Sequence, residues 1–420
     1  MTSPRPALGV TALLFMLILA MGSASACNFN TDFADDLVEK TAERNQRRLL
    51  EQQRQELPLP DPEEVRYIPV SADDLVLDDD FTVDLVDDLV LGEGRTDPDY
   101  LFVRFRGGSA ALGNVAVDDE GRIFVLETRS DEVRAFDRSG EFLFKFGQPG
   151  EGPADFNGPY GLLVAGDSVH VFHRRYSSSI WDLEGRFVRD RRTLRTPEAE
   201  EAARLEETSR GTRAASPSEA EGRRRARRAR VPLRVYGRPD GSIVMVTPAE
   251  PGETGGRIST PYVLVVGRFE DGAEVQRYLE VPEWATPTIA MAPDGGMYVA
   301  MFGHLRTEYY IVALDGDGDA RWVLTVPWDS ETPPRADLRV DGQGRLFVFP
   351  NFLVSAEDTR SPVHVYTRDG EIIGSGYLNR LPVYLHWQVS GPDRVHGVRT
   401  DPVSEEWEVV RYRLVLAGQK

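Results

Sequence analysis

Gly113-Asn114-Val115-Ala116-Val117-Asp118-Asp119-Glu120-Gly121-Arg122-Ile123-Phe124-Val125-Leu126-Glu127 sets two short apolar segments on either side of a polar turn that ends in glycine. That is the pattern of a tight β-hairpin. Val133 to Asp137 continue the alternation, Ser139-Gly140 make a second turn, and Glu141 to Phe146 supply a fourth segment. The segments are too short for helices, and the turns too frequent for parallel strands joined by helical crossovers. The unit reads as a four-stranded antiparallel meander.

The same apolar core returns along the chain. Ile123-Phe124-Val125 is followed by Val169-His170-Val171, Ile243-Val244-Met245, Met297-Tyr298-Val299, Leu346-Phe347-Val348 and Val395-His396-Gly397, each behind a turn. The core centres are 46 to 54 residues apart except for one gap of 74. A β-unit repeated at this period predicts a radial architecture, an all-β, six-bladed β-propeller of four-stranded antiparallel blades. The last unit (Val383 to Val389, Arg394 to Arg399, Trp407 to Leu416) stops one strand short. Phe81 to Leu91 is the expected donor, with Asp84, Asp87 and Asp88 at exposed positions or in a bulge of an acidic edge or surface strand. N-terminal and C-terminal segments would then pair to close the ring and remove its open edges. The propeller is expected over residues 59–420. The long gap holds an insertion at about 193–231, with an acidic half around Glu198 to Glu207 and a basic half from Arg223 to Arg230. It lacks apolar periodicity and reads as a solvated loop or a partner-binding arm.

Ahead of the propeller, residues 1–26 read as an export signal: Arg5, an apolar run from Val10 to Met21, then Ala24-Ser25-Ala26. Cys27 follows at once and is the chain's only cysteine, so no intramolecular disulfide forms and the fold rests on its apolar core. The placement of Cys27 resembles the lipobox of bacterial lipoproteins, although Ala24 stands where that motif usually has Leu. The resemblance implies lipid attachment at Cys27, and Asn28 is similar to an outer-membrane address in the Gram-negative scheme. Residues 27–58 form a polar tether or short helix that Pro58, Pro60 and Pro62 end. With 68 acidic and 49 basic side chains the net charge is −19, a field that repels nucleic-acid phosphates and anionic lipid. Nucleic acid is therefore not an expected partner, and membrane attachment would come through Cys27 alone.

The hairpin quoted above, with Asp131 to Asp137 and Ser139-Gly140, resembles an NHL repeat, and Phe146-Gly147-Gln148-Pro149-Gly150-Glu151-Gly152-Pro153 looks like the linker into its next blade. Over about 80–420 the chain resembles bacterial exported six-bladed propellers of the NHL-like class, many of them lipoproteins. That class is similar in outline to secreted lactonases, amidating lyases and streptogramin-type lyases, and to propellers that only bind. The resemblance implies a fold, not a choice among these activities.

Aligning the inner strands brings Asn114, Gly161, Leu233, Thr288, Asp337 and His386 to comparable positions near one mouth of the expected channel. Asn114, Thr288, Asp337 and His386 are the candidate binding residues there. Asp337 and His386 are also the candidate catalytic or metal-ligating pair, if a divalent cation occupies the channel. Each also has a structural reading, Asp337 as a cap of backbone N–H groups and His386 as a ring packed with Tyr384 and Trp387. His170 and His396 stand in the slot of Phe124, Tyr298 and Phe347 and read as packing rings. Asp315-Gly316-Asp317-Gly318-Asp319 departs from a calcium loop at Ala320 and Val326 and reads as a hairpin turn. No nucleophile elbow, phosphate-binding loop or HExxH stretch occurs. The leading expectation is a cell-envelope binding or scaffold protein whose loops present residues such as Tyr160, Arg174, Tyr176, Phe302 and Tyr309 to a protein, peptide or glycan. The alternative is a metal-assisted hydrolase or lyase working in the central channel.

Overall fold

A computed structural model describes residues 57, 59–92, 97–100, 102, 114–173, 177–192, 234–238, 240–248, 263–270, 273–282, 287–302, 308–328, 336–350, 360–379, 384–400 and 407–418. The export signal, Cys27, the tether as far as 56, Arg174, Tyr176 and the insertion 193–231 lie outside them. Leu57–Lys420 is one compact unit.

The first two strands are β1 (Arg66–Pro69) and β2 (Thr82–Val90). Six groups follow. They are β3 (Val115–Val117), β4 (Ile123–Glu127), β5 (Glu132–Phe136) and β6 (Phe142–Phe146); then β7 (Pro159–Ala165), β8 (Ser168–His173), β9 (Ser177–Asp182) and β10 (Phe187–Arg192). The third and fourth are β11 (Arg234–Gly237), β12 (Ile243–Pro248), β13 (Val263–Glu270) and β14 (Ala273–Pro282), and β15 (Thr288–Met291), β16 (Met297–Phe302), β17 (Glu308–Leu314) and β18 (Ala320–Pro327). The fifth is β19 (Ala336–Val340), β20 (Leu346–Pro350), β21 (Arg360–Tyr366) and β22 (Ile372–Asn379), and the sixth is β23 (Tyr384–Gly391), β24 (Arg394–Thr400) and β25 (Trp407–Ala417). Within each group neighbouring strands are antiparallel and in sequence order, as in the blades of a β-propeller.

One turn chemistry builds most of these hairpins. In the β3–β4 turn the Gly121 N–H donates to the Asp118 carbonyl at 3.0 Å, and Asp118 Oδ1 accepts from the Glu120 and Arg122 amides at 3.0 and 2.8 Å. Gly121 has φ of +83°, which glycine adopts without the steric cost a Cβ brings. Asp182 to Arg186 and Asp341 to Arg345 repeat the arrangement, and in all three the arginine Nε reaches the second carboxylate oxygen at 2.6 Å. Asp315 to Asp319 is built the same way, its Oδ1 capping the Asp317 and Asp319 amides at 2.9 Å. The acidic stretch is thus a hairpin turn.

The sixth group takes its fourth strand from the N-terminal side. β2 pairs antiparallel with β25 from Thr82↔Ala417 to Val90↔Val410, with a bulge at Asp88. Phe81, Val83 and Leu85 are buried on one face. Asp87 and Asp88 are exposed, Asp88 in the bulge, as expected, and they are also paired: Asp87 salt-bridges Arg399 at 2.7 Å, and Asp88 bonds Arg411 at 2.6 Å and Arg394 at 3.1 Å. Arginines on β24 and β25 draw the carboxylates inward along the sheet. β2 also pairs in parallel with β22 over Thr82–Asp84, while β1 pairs in parallel with β18 from Arg66↔Trp322 to Pro69↔Thr325. Residues 66–90 therefore strap the outer edges of the last three groups.

Neighbouring groups are joined by hydrogen bonds that end on turn or strand carbonyls. Arg122 reaches the Leu183 oxygen at 3.4 Å, Arg238 that of Gly316 at 2.6 Å and Tyr298 that of Gly344 at 3.0 Å. Trp322 donates to Arg368 at 3.0 Å, Trp387 to Val340 at 2.9 Å and Arg411 to Arg138 at 2.6 Å. Between the second and third groups backbone approaches backbone: a Cβ on Gly237 would lie 2.8 Å from the Val164 carbonyl oxygen.

Candidate functional site

The innermost strands β3, β7, β11, β15, β19 and β23 all contribute to one cavity of about 500 Å³. Val115 and Val117, Leu162 and Val164, Val235, Ile289 and Met291, Leu338 and Val340, and Trp387 and Val389 make its wall, two or three apolar residues from most strands. Its polar edge comes from the ends of the inner strands and the hairpin turns that follow them: Asp118 and Asp119, Arg238, Gly342, and Ser390 to Pro392. Arg339 also lines it. The volume falls in the range of pockets for small organic ligands or a partner's side chains.

Most of the charged residues at this edge already have work to do. The Asp118 side chain is 2% exposed and holds its own turn and Arg122. Arg238 is buried between a Tyr278 hydroxyl at 2.9 Å and the Gly316 carbonyl, and so latches two groups together. Arg339 pairs with Asp337 at 2.6 Å. Ser390 Oγ differs: it is buried and has no hydrogen-bond partner among the described residues. A buried hydroxyl in that condition costs stability unless something else bonds it.

The sequence placed the site at the opposite end of the inner strands. Asn114 immediately precedes β3 and is fully buried, its carbonyl accepting from the Leu126 amide at 2.8 Å. Thr288 opens β15, opposite Ala300, and is buried. Asp337 lies on β19 opposite Phe349, and its carboxylate meets Arg339. None of these three is among the residues lining the cavity. His386 lies in β23, and its side chain is outside the described residues. Phe302 and Tyr309 are buried and stack at 5.2 Å within their own group, which withdraws both from any loop surface. Ser390, Asp119 and Arg238 were missed because inner strands were aligned by their first residue. Aligning the turns after them would have gathered all three.

The four histidines whose side chains are described are packing groups. His170 and His396 are buried in the slots that aromatic rings fill elsewhere. His364 Nδ1 lies 2.8 Å from Ser375 Oγ, which itself donates to the Asp74 carbonyl at 2.6 Å. With its only proton spent there, the serine accepts from His364, which fixes the Nδ1–H tautomer. His173 Nε2 meets Ser179 Oγ at 2.9 Å, beside Trp181 Nε1 on the same oxygen. Burial lowers both His173 and His364 to about 4, so each imidazole is neutral at pH 7. Burial likewise raises the Asp341 carboxyl, against the opposing charge of Arg345. Among the described residues no three His, Cys, Asp or Glu side chains converge as a metal ion would require.

No protein-family model matches the chain, and no curated protein does. Solved structures resemble it in fold. A member of the DUF4221 family from Bacteroides vulgatus is 13% identical, aligning 80% of this chain with 99% of that one at a TM-score of 0.48. The calcium-binding protein regucalcin from Agrobacterium tumefaciens is 10% identical over 80% and 98% of the two chains, at 0.36. Virginiamycin B lyase from Staphylococcus aureus is 12% identical over 70% and 79%, at 0.35. Likeness at this level carries no argument about activity, which has to come from the chain's own residues.

Proposed function

We propose that this chain is an exported cell-envelope protein, lipid-anchored at Cys27 after removal of residues 1–26, whose six strand groups are the blades of one closed propeller. Its work is binding or scaffolding: the turn-lined mouth of the central cavity receives part of a protein, peptide or glycan. The observation that carries this reading is the make-up of the cavity. Its wall is drawn from all six inner strands and offers a guest both polar and apolar surface, while the charged groups Asp118, Arg238 and Arg339 at its edge are engaged in holding turns and strands. A recess built by all six inner strands, with its charged edge groups already engaged, suits recognition better than bond cleavage. A metal-assisted hydrolase or lyase draws no support from Asp337, which is neutralised by Arg339.

Ser390→Trp tests the reading by filling the mouth. Protein cross-linked in envelope fractions of its own host should enrich a ligand or partner that the substituted protein loses at an unchanged melting temperature. Equal enrichment by the two proteins would sink the cavity as the binding site. Intact-mass measurement of the mature N-terminus should find Cys27 first and carrying acyl chains. An unmodified cysteine would remove the anchor from the proposal.

A further inference from the structure

Much of the polar surface of the cavity is main chain. Each of β3, β7, β11, β15, β19 and β23 stands at the end of its sheet, so one edge of it has no strand beside it among the described residues. In a strand the N–H and C=O of one residue point to one side and those of the next residue to the other. On β3 the turn fixes this phase: the Asp118 N–H donates to the Arg122 carbonyl at 3.2 Å and its carbonyl accepts from Gly121 at 3.0 Å, so Asp118 faces β4. Asn114 faces β4 as well, through its bond from Leu126. Val115 and Val117 therefore turn their main-chain groups away from β4, to the cavity that both residues line.

Arg238, Ala292 and Asp341 repeat the Asp118 bonds just past the ends of β11, β15 and β19. The same phase hands the cavity the main-chain groups of Val235 and Gly237, Ile289 and Met291, and Leu338 and Val340, all of which line it. Trp387 Nε1, on the next inner strand, reaches the Val340 carbonyl at 2.9 Å from that side, and Arg339 takes the Leu338 carbonyl at 2.8 Å. The other main-chain groups of these residues have no partner among the described residues. The charged side chains offer a guest less: Asp118 is spent on Arg122, Arg339 on Asp337, and Arg238 on Tyr278 and Gly316. Asp119 lines the edge and is exposed, which disfavours an anion.

A guest in this cavity meets donors and acceptors repeated every second residue, about 6.7 Å apart along each inner strand, beside apolar side chains. An extended peptide carries its own N–H and C=O groups at the same repeat, with side chains to set against the valines and leucine; a glycan has no such side chains. We propose that the cavity takes a short, uncharged, apolar peptide segment in extended form, held by main-chain hydrogen bonds to the inner edges of β3, β11, β15 and β19. A volume of about 500 Å³ limits the segment to a few residues. This rests on the cavity as the binding site and narrows its guest to one class.

The test is isothermal titration of the whole protein with the capped peptide acetyl-Val-Ala-Val-Ala-Val-amide. Saturable binding is expected, weakened about tenfold or more when both alanines are N-methylated, since that removes N–H donors and keeps the side chains. Ser390→Trp should abolish binding at an unchanged melting temperature. In the wild-type protein, hydrogen exchange read by mass spectrometry should slow in β3, β11, β15 and β19 when the peptide is added, and stay unchanged in the outer strands β6, β10 and β14. No binding, or equal affinity for the N-methylated peptide, would overturn the proposal. Saturable binding of maltotriose that Ser390→Trp abolishes, with none of the peptide, would replace the peptide by a glycan and keep the cavity as the site. Slowed exchange confined to the outer strands would overturn both.

Discussion

His173 and His364 show how single residues in this fold trade charge for packing. In the unfolded chain an imidazole takes up a proton below about 6.5, whereas in the folded chain burial delays protonation until about 4. Between those values the unfolded state holds more protons, so stability is complete above pH 6.5 and falls as the pH drops towards 4. The loss is about 2 kcal/mol per histidine by pH 5. Asp88 is pushed up by desolvation but brought below its ordinary value by the stronger combined effect of Arg411 and Arg394. Urea unfolding of the wild type at pH 7 and pH 5 should therefore differ mainly through the two imidazoles. His173→Phe, whose ring would keep the contact with Phe156 at 5.3 Å, should remove about half of that difference. An unchanged pH dependence in the variant would mean that His173 is not buried as described.

β2 lets burial and charge be weighed within one element. Val83 is fully buried among Phe347, Val363 and Leu378, while Asp88 sits in a bulge with a side chain 27% exposed between two arginines. Truncating Val83 to alanine should cost about 2 kcal/mol, from lost transfer energy and the cavity left behind. Asp88→Ala should cost about 1 kcal/mol or less, and less still at high salt, because water already screens that cluster. Chemical unfolding of the two variants checks the ranking, and a larger loss at Asp88 would make the ion cluster the clasp. The alternation of Phe81, Val83 and Leu85 made this strand legible in the sequence, as did the glycine turns of the six groups. The parallel partner of β1, β18, lies some 250 residues on, and that pairing leaves no local mark in the sequence. The cavity edge was hidden for a related reason: Asp118 has the same pattern as the hairpin cap Asp182, and only tertiary structure shows which turn borders a channel.

At the scale of the molecule the question is whether the strap or the latches hold the six groups together. Each latch is a single hydrogen bond or a small cluster, worth about 1 kcal/mol net. The strap instead contributes three strand pairings and buries Phe81, Val83 and Leu85. The strap should therefore decide closure. A chain beginning after Val90 leaves the outer sides of β18, β22 and β25 unpaired, and exposed edges of that length recruit other chains. Such a protein should associate on gel filtration and unfold over a broad range. Adding a synthetic peptide spanning Leu57 to Leu91 in trans should restore a monomer with a single sharp transition, since the same pairings and apolar contacts reform at an entropic cost set by peptide concentration. If the truncated protein were monomeric and melted at the wild-type temperature, the latches would be sufficient. Residues 66–90 would then be a covering of the rim, and closure would have to be sought in the contacts between the inner strands.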